Sequence, residues 1–433
     1  YLAKGNPAAL HDSIEVAPDG ALIHNMSSGQ KNIVIDNLCI KYSNFGIGGS
    51  EYKNITITNC ENYGNIAYGS VAPTHRVDVG GIMGTSSQKG TTTITGCKNG
   101  GKIEFNASGA GAEISFGGIS GTLQSGTLRD CVNLASAEIY SNGTSTSNYN
   151  VAGITGSTAL NSANLYNCDN YGHINQVKAS SGVTQIGGIN GYGYRFGTID
   201  GCDNFGTITF AGTATNKNGN VGGVVGHARF QGANAAADGS TPAGVAAVTN
   251  CGNYANQTWA GTASTYYAGG VIGYCKSIES GTAKLENLKN IANLTFTTKG
   301  NTETYLGGIC GTFGSEEKPH HIDGGVFYGN FKAIGMEGLI GLAFGNFRTA
   351  TRFVENVQFG GNMVFAVDTT EIEDTDSGTV EKTETDILTP ITAENLYMYA
   401  YKYNGGNPSV TTEELAAENC TVITTKPAVP GKN

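Results

Sequence analysis

Three aspartates have the type and spacing that catalysis would require. Asp169 and Asp203 each follow a cysteine in two segments of matching sequence, and Asp200 lies close to Asp203. Hydrolysis of a glycosidic bond requires two carboxyl groups roughly 5 to 9.5 Å apart, and acids on neighbouring segments also suit a calcium ion. Catalysis by these acids is an alternative rather than the main prediction, since the equivalent positions vary as solvent-facing positions do: Glu61, Lys98, Val132 and Gly252.

Three groups of aromatic and arginine residues are candidates for binding. Aromatic faces and guanidinium groups suit both sugar rings and the hot spots of protein partners. They suit equally the packing of a loop onto its own scaffold, so both interpretations stay open. The first group follows a glycine-rich pentapeptide, the second begins an insertion over 227–247, and the third lies further along: Tyr192, Tyr194, Arg195 and Phe196; Arg229 and Phe230; Trp259, Tyr266 and Tyr267.

Metal and cofactor chemistry have less support in the sequence. His320 and His321, followed by Asp323, form the only histidine cluster, and such side chains can ligate a metal. A solvated loop is the simpler interpretation of this segment. The sequence has no His-Glu-x-x-His zinc signature, no phosphate loop ending in Gly-Lys-Ser or Gly-Lys-Thr, and no nucleophile elbow. We therefore expect neither a metal site nor a cofactor.

The elements that must position these residues are internal repeats. A pentapeptide of the form Gly-Gly-Ile-x-Gly recurs along the chain, always with an aliphatic residue at its third position. Repeats of 20 to 50 residues are typical of solenoids, propellers and arrays. The six close copies span 80–84, 117–121, 187–191, 222–226, 269–273 and 307–311, and the two looser copies span 152–156 and 338–341.

A second motif repeats in phase with the pentapeptide. It consists of an aliphatic residue, a cysteine three positions later and an asparagine two positions after that, as in Ile57, Cys60 and Asn62. Five further copies keep the cysteine, and a seventh replaces it with Leu288. A third, strand-like piece follows in most repeats, so each repeat of about 35 residues contains three strand candidates: 64–68, 101–105, 172–176, 206–210 and 292–296.

These patterns predict an all-β fold, a parallel β-helix (solenoid) of about ten coils with three short strands each, over residues 1–366. A propeller is the rival architecture, but it needs about four strands per blade. The repeated asparagines should tolerate a left-handed backbone and form a stacked ladder. The aromatic residues that follow them could stack as well, for stability or to bind sugars: Tyr63, Tyr171, Phe205 and Tyr254.

The cysteines predict a column of buried, reduced thiols. Six of the ten occupy one position in successive repeats. Parallel Cβ vectors on stacked strands make disulfide geometry awkward, and no spacing resembles a zinc site. Cys310 lies inside a pentapeptide, and the pattern assigns no place to Cys39, Cys275 and Cys420.

The paired motifs resemble the GLUG-type repeat of large secreted bacterial proteins, including non-catalytic regions of IgA-cleaving metallopeptidases and adhesin-like surface proteins of gut anaerobes. The resemblance covers about 33–365. It implies a right-handed β-helix, export from the cell and a role in attachment, and it carries no catalytic residues. The sequence departs from the pattern at both ends, at Leu288 and in the long gap before Cys251.

Composition excludes several classes of partner. The 65 glycines call for frequent turns, while 21 tyrosines and 16 phenylalanines argue against disorder. A net charge of −10 disfavours nucleic acid, and no apolar run is long enough to span a membrane. Because the chain opens at Tyr1, we expect that a targeting segment or upstream domain has been removed.

The last part of the chain differs in composition and is predicted to be a separate unit over 367–433. An acidic run over 371–386 favours an extended linker or exposed loop. Residues 412–418 resemble a short capped helix. We expect this tail to cap the open end of the solenoid, where unpaired strand edges invite aggregation.

The sequence thus predicts a non-catalytic adhesion or interaction module on the bacterial cell surface or outside the cell. Its expected partner is an extracellular glycan or protein. Two alternatives remain open: a carbohydrate-active β-helix enzyme, either a polysaccharide lyase or a glycoside hydrolase, and a passive stalk that holds other domains away from the cell.

Overall fold

The computed structural model contains only strands, turns and irregular segments in the residues it describes. The prediction of an all-β parallel solenoid is confirmed. The described residues are 32–36, 39–40, 54–68, 73, 76–86, 90–107, 111–158, 163–177, 182–194, 197–211, 218–231, 247–260, 265–278, 284–297, 303–313, 320–333, 338–347, 352–374, 379–393, 401–404, 407–410 and 416–431.

Each coil contains five strands rather than the predicted three. The coil that begins with Thr91–Thr95 continues through Lys98–Asn99, Ile103–Phe105, Ile114–Gly117 and Ser120–Leu123. The extra breaks have local causes. A left-handed residue before each cysteine separates the first strand from the second, and the Gly-Gly pair of the pentapeptide separates the fourth from the fifth.

The first three strands of all coils belong to one large sheet. First strands are Asn32–Asp36, Asn54–Thr58, Thr91–Thr95, Gly126–Arg129, Ala163–Tyr166, Thr198–Asp200 and Ala247–Thr249. Second strands are Cys39–Ile40, Glu61–Asn62, Lys98–Asn99, Val132–Asn133, Asp169–Asn170, Asp203–Asn204 and Gly252–Asn253. Third strands are Ile66–Tyr68, Ile103–Phe105, Glu138–Ser141, His173–Gln176, Ile208–Phe210, Gln257–Trp259 and Leu294–Phe296. Towards the C-terminal end these segments merge into longer strands: Lys284–Asn290, His320–Ala333 and Arg352–Asp374.

The fourth and fifth strands, on either side of the pentapeptide, form two further sheets. Fourth strands are Val77–Gly80, Ile114–Gly117, Tyr149–Ala152, Thr184–Gly187, Asn218–Gly222, Thr265–Gly269, Glu303–Gly307 and Gly338–Gly341. Fifth strands are Met83–Thr85, Ser120–Leu123, Thr155–Thr158, Asn190–Tyr194, Val225–Gln231, Ile272–Ile278, Cys310–Phe313 and Phe344–Phe347. Eight coils therefore stack on these two faces, fewer than the predicted ten.

Equivalent residues of successive coils lie directly above one another. Ile57 is in register with Ile94, and Ile94 with Leu128. Parallel neighbours of this kind are about 4.8 Å apart. Each aliphatic position of the repeat thus becomes a continuous buried column, and these columns line one shared core. No single coil could bury its own apolar face, so the coils are stable only as a stack.

The predicted asparagine ladder is present and fully buried. Asn133 donates a hydrogen bond from Nδ2 to Oδ1 of Asn170 at 2.8 Å, and Asn170 donates in the same way to Asn204 at 2.7 Å. Six of the seven ladder amides also donate to the carbonyl two residues on, as Asn170 does to Gly172 at 3.0 Å. Buried amides need such partners. The ladder runs through Asn62, Asn99, Asn133, Asn170, Asn204, Asn253 and Asn290.

The second glycine of the pentapeptide makes room for this ladder. A Cβ on Gly153 would lie 2.1 Å from Cγ of Asn170 and 2.4 Å from the Gly188 carbonyl oxygen. Close approach, rather than a left-handed conformation, therefore explains this glycine. At the C-terminal end Phe327 replaces the asparagine and packs against Gly308 instead.

The left-handed backbone lies elsewhere than predicted. It occurs one residue before the cysteine, not at the ladder asparagine. Asn167 has φ of 51° and donates from Nδ2 to Oδ1 of Asp130 in the preceding coil at 3.1 Å. Short polar side chains and glycine are the residues that tolerate this conformation. A second, exposed ladder therefore follows this corner: Asn59, Gly96, Asp130, Asn167, Gly201, Asn250, Asn287, Gly324, Asn356 and Asn419.

The cysteine column is present as free, buried thiols. The Cys168 amide donates to Sγ of Cys202 at 3.4 Å, and Sγ of Cys168 donates to the Tyr166 carbonyl at 3.4 Å. Burial raises the pKa of both thiols well above its usual range, so they are neutral at physiological pH. The predicted reduced column agrees with this arrangement.

Three cysteines that the pattern left unassigned now have positions. Cys275 is buried in a fifth strand, in register with Phe313 of the next coil. Cys39 aligns with Glu61 and so lies one residue outside the thiol column. Cys420 lies between segments that pair with Glu355 and Gln358. It returns to the thiol column at the last coil.

The C-terminal segment caps the solenoid, but not as a linker and a helix. Much of the acidic run pairs antiparallel, Thr379–Pro390 against Arg352–Asp374, with Lys382 opposite Glu371. The strand Arg352–Asp374 crosses the predicted boundary between residues 366 and 367. Opposite charges across strands favour such pairing. Residues 416–418 of the predicted helix instead form the strand Ala416–Glu418, because pairing with the last coil satisfies their main chain. A hairpin of Tyr401–Asn404 and Asn407–Val410 covers Gly338–Gly341.

Replacing Asn170 with Ala should destabilise the protein by about 2–4 kcal/mol, because it leaves buried groups of Asn133 and Asn204 without partners and opens a cavity. Gly153→Ala should be similarly harmful, since its new methyl group collides with the same amide. Urea unfolding followed by circular dichroism measures both effects. Asn175→Ala, on the half-buried outer side of a third strand, is the control and should change stability far less. Equal losses at positions 170 and 175 would show that the ladder is not special.

The thiol column predicts a clear difference between folded and unfolded protein. In native buffer a disulfide-exchange reagent should leave the buried cysteines unmodified, because they are inaccessible and protonated. After denaturation without reductant the same cysteines should react. Thiols that stay blocked in the denatured, unreduced protein would indicate disulfides and contradict the column.

Candidate functional site

The structure brings together two of the three candidate catalytic acids. Asp169 and Asp203 are register partners on adjacent second strands. Asp200 lies before the corner and accepts hydrogen bonds from Thr249 at 2.6 Å and Asn250 at 2.8 Å. Neighbouring side chains on one face of a sheet point the same way. A substrate would therefore meet both carboxyl groups from one side, whereas glycosidases place theirs on opposite sides of the bond.

Both paired carboxyl groups resist ionisation. Burial raises the pKa of Asp169 to about 6. Burial and then the charge of Asp169 raise the pKa of Asp203 to about 6. The Tyr171 hydroxyl donates to Oδ2 of Asp169 at 3.4 Å and opposes the rise in the Asp169 pKa. The two carboxyl groups are thus a partly buried part of the coil stack, and ionisation of one disfavours ionisation of the other.

The aromatic residues beside these acids do stack. Tyr171 and Phe205 have ring centroids 4.7 Å apart and nearly parallel planes, and Phe205 lies 5.1 Å from Tyr254. Stacking covers the faces of the inner ring and leaves its edge outward. A sugar packs on the face of an aromatic ring, so this stack serves the stability of the solenoid, in line with the simpler of the two interpretations.

Three predicted binding residues are buried instead. Trp259 and Tyr266 are each only 1% exposed, and their rings meet edge to face inside the solenoid. Tyr267, one residue later on the opposite face of the strand, is 4% exposed. Successive side chains of a strand point to opposite faces, so Tyr266 and Tyr267 are buried on different sides of the sheet. The side chain of Phe230 and all of Arg195 and Phe196 lie outside the described residues.

The remaining predicted binding residues converge on one surface. Arg229 lies over the Tyr194 ring, with Cζ 4.7 Å from its centroid. Burial raises the pKa of the nearby Tyr192, and Arg229 opposes that rise. These three residues, with their neighbours on the next coils, form what we call the aromatic–cationic cluster: Tyr192, Tyr194, His227, Arg229, Tyr274 and Lys276.

His227 is the centre of this cluster. Its ring lies between those of Tyr192, at 5.1 Å, and Tyr274, at 4.7 Å. Tyr274 in turn stacks on the buried Tyr267 at 4.6 Å. Burial and then the positive charges of Arg229 and Lys276 lower the pKa of His227 to about 3. The imidazole is therefore neutral at physiological pH.

A line of buried polar side chains fixes the orientation of this imidazole. Nδ1 of His227 donates to Oε1 of Gln185 at 2.9 Å. Gln185 donates to Asn150 at 2.9 Å, and Asn150 donates to Glu113 at 3.0 Å. With Nδ1 protonated, Nε2 carries the lone pair. The cluster is thus held by hydrogen bonds that link four successive coils.

Several polar atoms of the cluster have no partner within the described part of the chain. They are Nε2 of His227 and Nε of Arg229, together with Oδ1 of Asn220 on the adjoining fourth strand. Buried polar atoms normally have partners, and exceptions need an explanation. One acceptor nitrogen, one donor nitrogen and one acceptor oxygen beside half-buried tyrosines are groups that a bound water or polar ligand would satisfy.

The histidine segment is a strand rather than a loop. His320, His321 and Asp323 all lie in His320–Ala333. His321 Nε2 is 3.4 Å from Glu355, and Asp323 accepts from Asn356 at 2.8 Å. These contacts join adjacent coils. In the described ranges, no three histidine, cysteine or acidic side chains converge as a metal site.

Sequence reasoning missed His227, Tyr274 and Lys276. Tyr192, His227 and Tyr274 each follow a pentapeptide directly, so an alignment of the repeats would have placed them in one row. Lys276 and Arg229 are register partners on adjacent coils, so the same alignment would have placed them in a second row.

The chain matches no protein-family model, no curated protein and no solved structure. Within the described residues, no helix has the length and apolarity needed to cross a membrane.

Replacing Asp203 with Asn should stabilise the protein at pH 7.5 by on the order of 1 kcal/mol, after allowance for partial exposure. The carboxyl groups of Asp169 and Asp203 have higher pKa values in the folded state than the unfolded value of 3.8, so the folded state disfavours their ionisation. Wild-type stability therefore falls as pH rises from about 4 to about 6. The variant should show a shallower fall. Thermal unfolding across pH 3.5–8 measures this.

The matched control is Asp200→Asn. Asp200 accepts two hydrogen bonds from the next coil, so removing its charge should bring no gain. A variant at position 203 that keeps the full wild-type pH dependence would show that the acid pair does not couple to folding.

Proposed function

We propose that this chain is a non-catalytic interaction module, exported by a bacterium, that binds an extracellular glycan through the aromatic–cationic cluster. The observation that carries the proposal is the set of unpartnered polar atoms beside the half-buried tyrosines. Sugars bind where aromatic faces adjoin directed hydrogen-bonding groups. The resemblance to GLUG-type repeats of secreted adhesins supports the same assignment and the location outside the cell.

The scaffold suits recognition because stacked strands hold the cluster rigidly. Its residues come from three successive coils, and each sits on a strand paired on both sides. Little conformational entropy is then lost on binding. A passive stalk would not require aromatic rings and cationic side chains to gather on one surface.

An enzyme is the weaker alternative. The acid pair Asp169 and Asp203 faces one direction, and Asp200 is engaged elsewhere. The neutral His227 has a pKa of about 3, far from the value near the working pH that acid–base catalysis favours.

A glycan array tests the proposal directly. Wild-type protein should bind a subset of glycans and leave them intact, and Tyr194→Ala should weaken binding roughly tenfold, because loss of a stacked ring removes about 1 kcal/mol or more. Release of shortened glycan would favour the enzyme, and absence of any binding would favour the stalk.

Tyr166→Ala is the matched control. Tyr166 also packs with an arginine, with Cζ of Arg129 4.4 Å from its ring centroid, but on a first strand away from the cluster. Its removal should leave glycan binding unchanged. Equal loss from both variants would place the binding surface elsewhere.

A further inference from the structure

We infer that the aromatic–cationic cluster selects glycans that carry a carboxylate, with Arg229 and Lys276 as the anion-binding residues. This inference rests on the proposed function and specifies its ligand. Arg229 and Lys276 are register partners on adjacent coils, which places their main chains about 4.8 Å apart. Both side chains are half-buried.

The pairing of two cations is unusual for this chain. The protein carries a net charge of −10, and several other basic residues meet acids, as Lys98 does with Glu61 at 3.2 Å and Lys284 with Glu286 at 2.8 Å. In the described residues, neither Arg229 nor Lys276 forms an ion pair. Like charges on neighbouring strands repel, and a bound anion would relieve that repulsion.

The geometry of Arg229 favours a planar anion. Its surroundings are aromatic, since it lies over the Tyr194 ring and close to Tyr192. Its Nε is buried and unpartnered. A guanidinium presents its N–H groups as a fork that matches the two oxygens of a carboxylate. Lys276 supplies a second, less directional charge.

The other unpartnered atoms match sugar hydroxyls. Nε2 of His227 accepts because Nδ1 donates to Gln185, and Oδ1 of Asn220 accepts as well. Two acceptors, one anion-binding pair and aromatic rings correspond to a sugar that carries both hydroxyls and a carboxylate. A neutral sugar would leave both cations unpaired, and an acidic peptide would offer few hydroxyls to the acceptors.

The test compares matched glycans on the intact chain by titration calorimetry. Probes are oligosaccharides of galacturonate, glucuronate and sialic acid, each beside its methyl-ester form, with a sulfated glycan and an Asp-rich peptide as further arms. We expect at least one carboxylated glycan to bind tenfold or more tightly than its ester, with affinity falling as salt rises. Arg229→Gln and Lys276→Gln should each reduce this preference to about twofold or less.

Lys284→Gln, which removes a cation from an exposed ion pair outside the cluster, is the control and should leave the preference intact. If Arg229→Gln fails to fold, as judged by its melting curve, Lys276→Gln carries the test. Equal affinity for ester and acid, or preference for the sulfated glycan, would overturn the carboxylate inference and leave the proposed function standing. Binding only to the peptide, or to none of the probes while neutral glycans also fail, would overturn both.

Discussion

Hydrogen bonding between buried asparagine side chains, from one coil to the next, sets the geometry on which the rest of this molecule depends. Each amide both donates to and accepts from its neighbours, so a shift of one residue in any coil would leave two buried groups unsatisfied. That requirement fixes the register of every strand. It also explains the second glycine of the pentapeptide, because the Asn170 amide occupies the space that a side chain on Gly153 would need. The pentapeptide and the cysteine–asparagine motif lie about half a coil apart in sequence, and they supply the two sides of one contact.

The same register creates the cluster around His227. A single pentapeptide followed by one aromatic residue has no binding surface. Stacking places Tyr192, His227 and Tyr274 in one row, and their rings then pack over one another. The core tolerates little variation because its columns must remain continuous, whereas the row after the pentapeptide changes freely from Thr85 to Tyr274. Rigid scaffold and variable surface thus occupy adjacent positions in the same repeat, which is how many binding proteins separate stability from recognition.

The fold class was predictable because its signal is periodic and repeated. Matching spacings of Ile57, Cys60 and Asn62 with later copies were enough to predict stacking and the thiol and amide columns. The number of strands per coil was not predictable, since the breaks at Asn167 and its equivalents arise from local backbone conformation. Site residues were harder. Trp259 and Tyr266 have the chemistry of binding residues but face inward, and residue type alone does not say which face of a strand a side chain occupies. The acidic run pairs as a hairpin, with Thr379 opposite Asp374 and Lys382 opposite Glu371, and acidic composition alone does not reveal such a pairing.

The last coil holds a structural lesson of its own. Asn419 repeats the left-handed corner with φ of 53°, and Cys420 re-enters the thiol column although the chain between has left the repeat pattern. The corner is therefore encoded within a few residues and does not depend on the whole repeat. Duplication or deletion of one repeat in the gene would change the length of the solenoid by about 4.8 Å. Because every coil stacks in the same way, no new interface is needed. Evolution can therefore adjust the length of the solenoid one coil at a time.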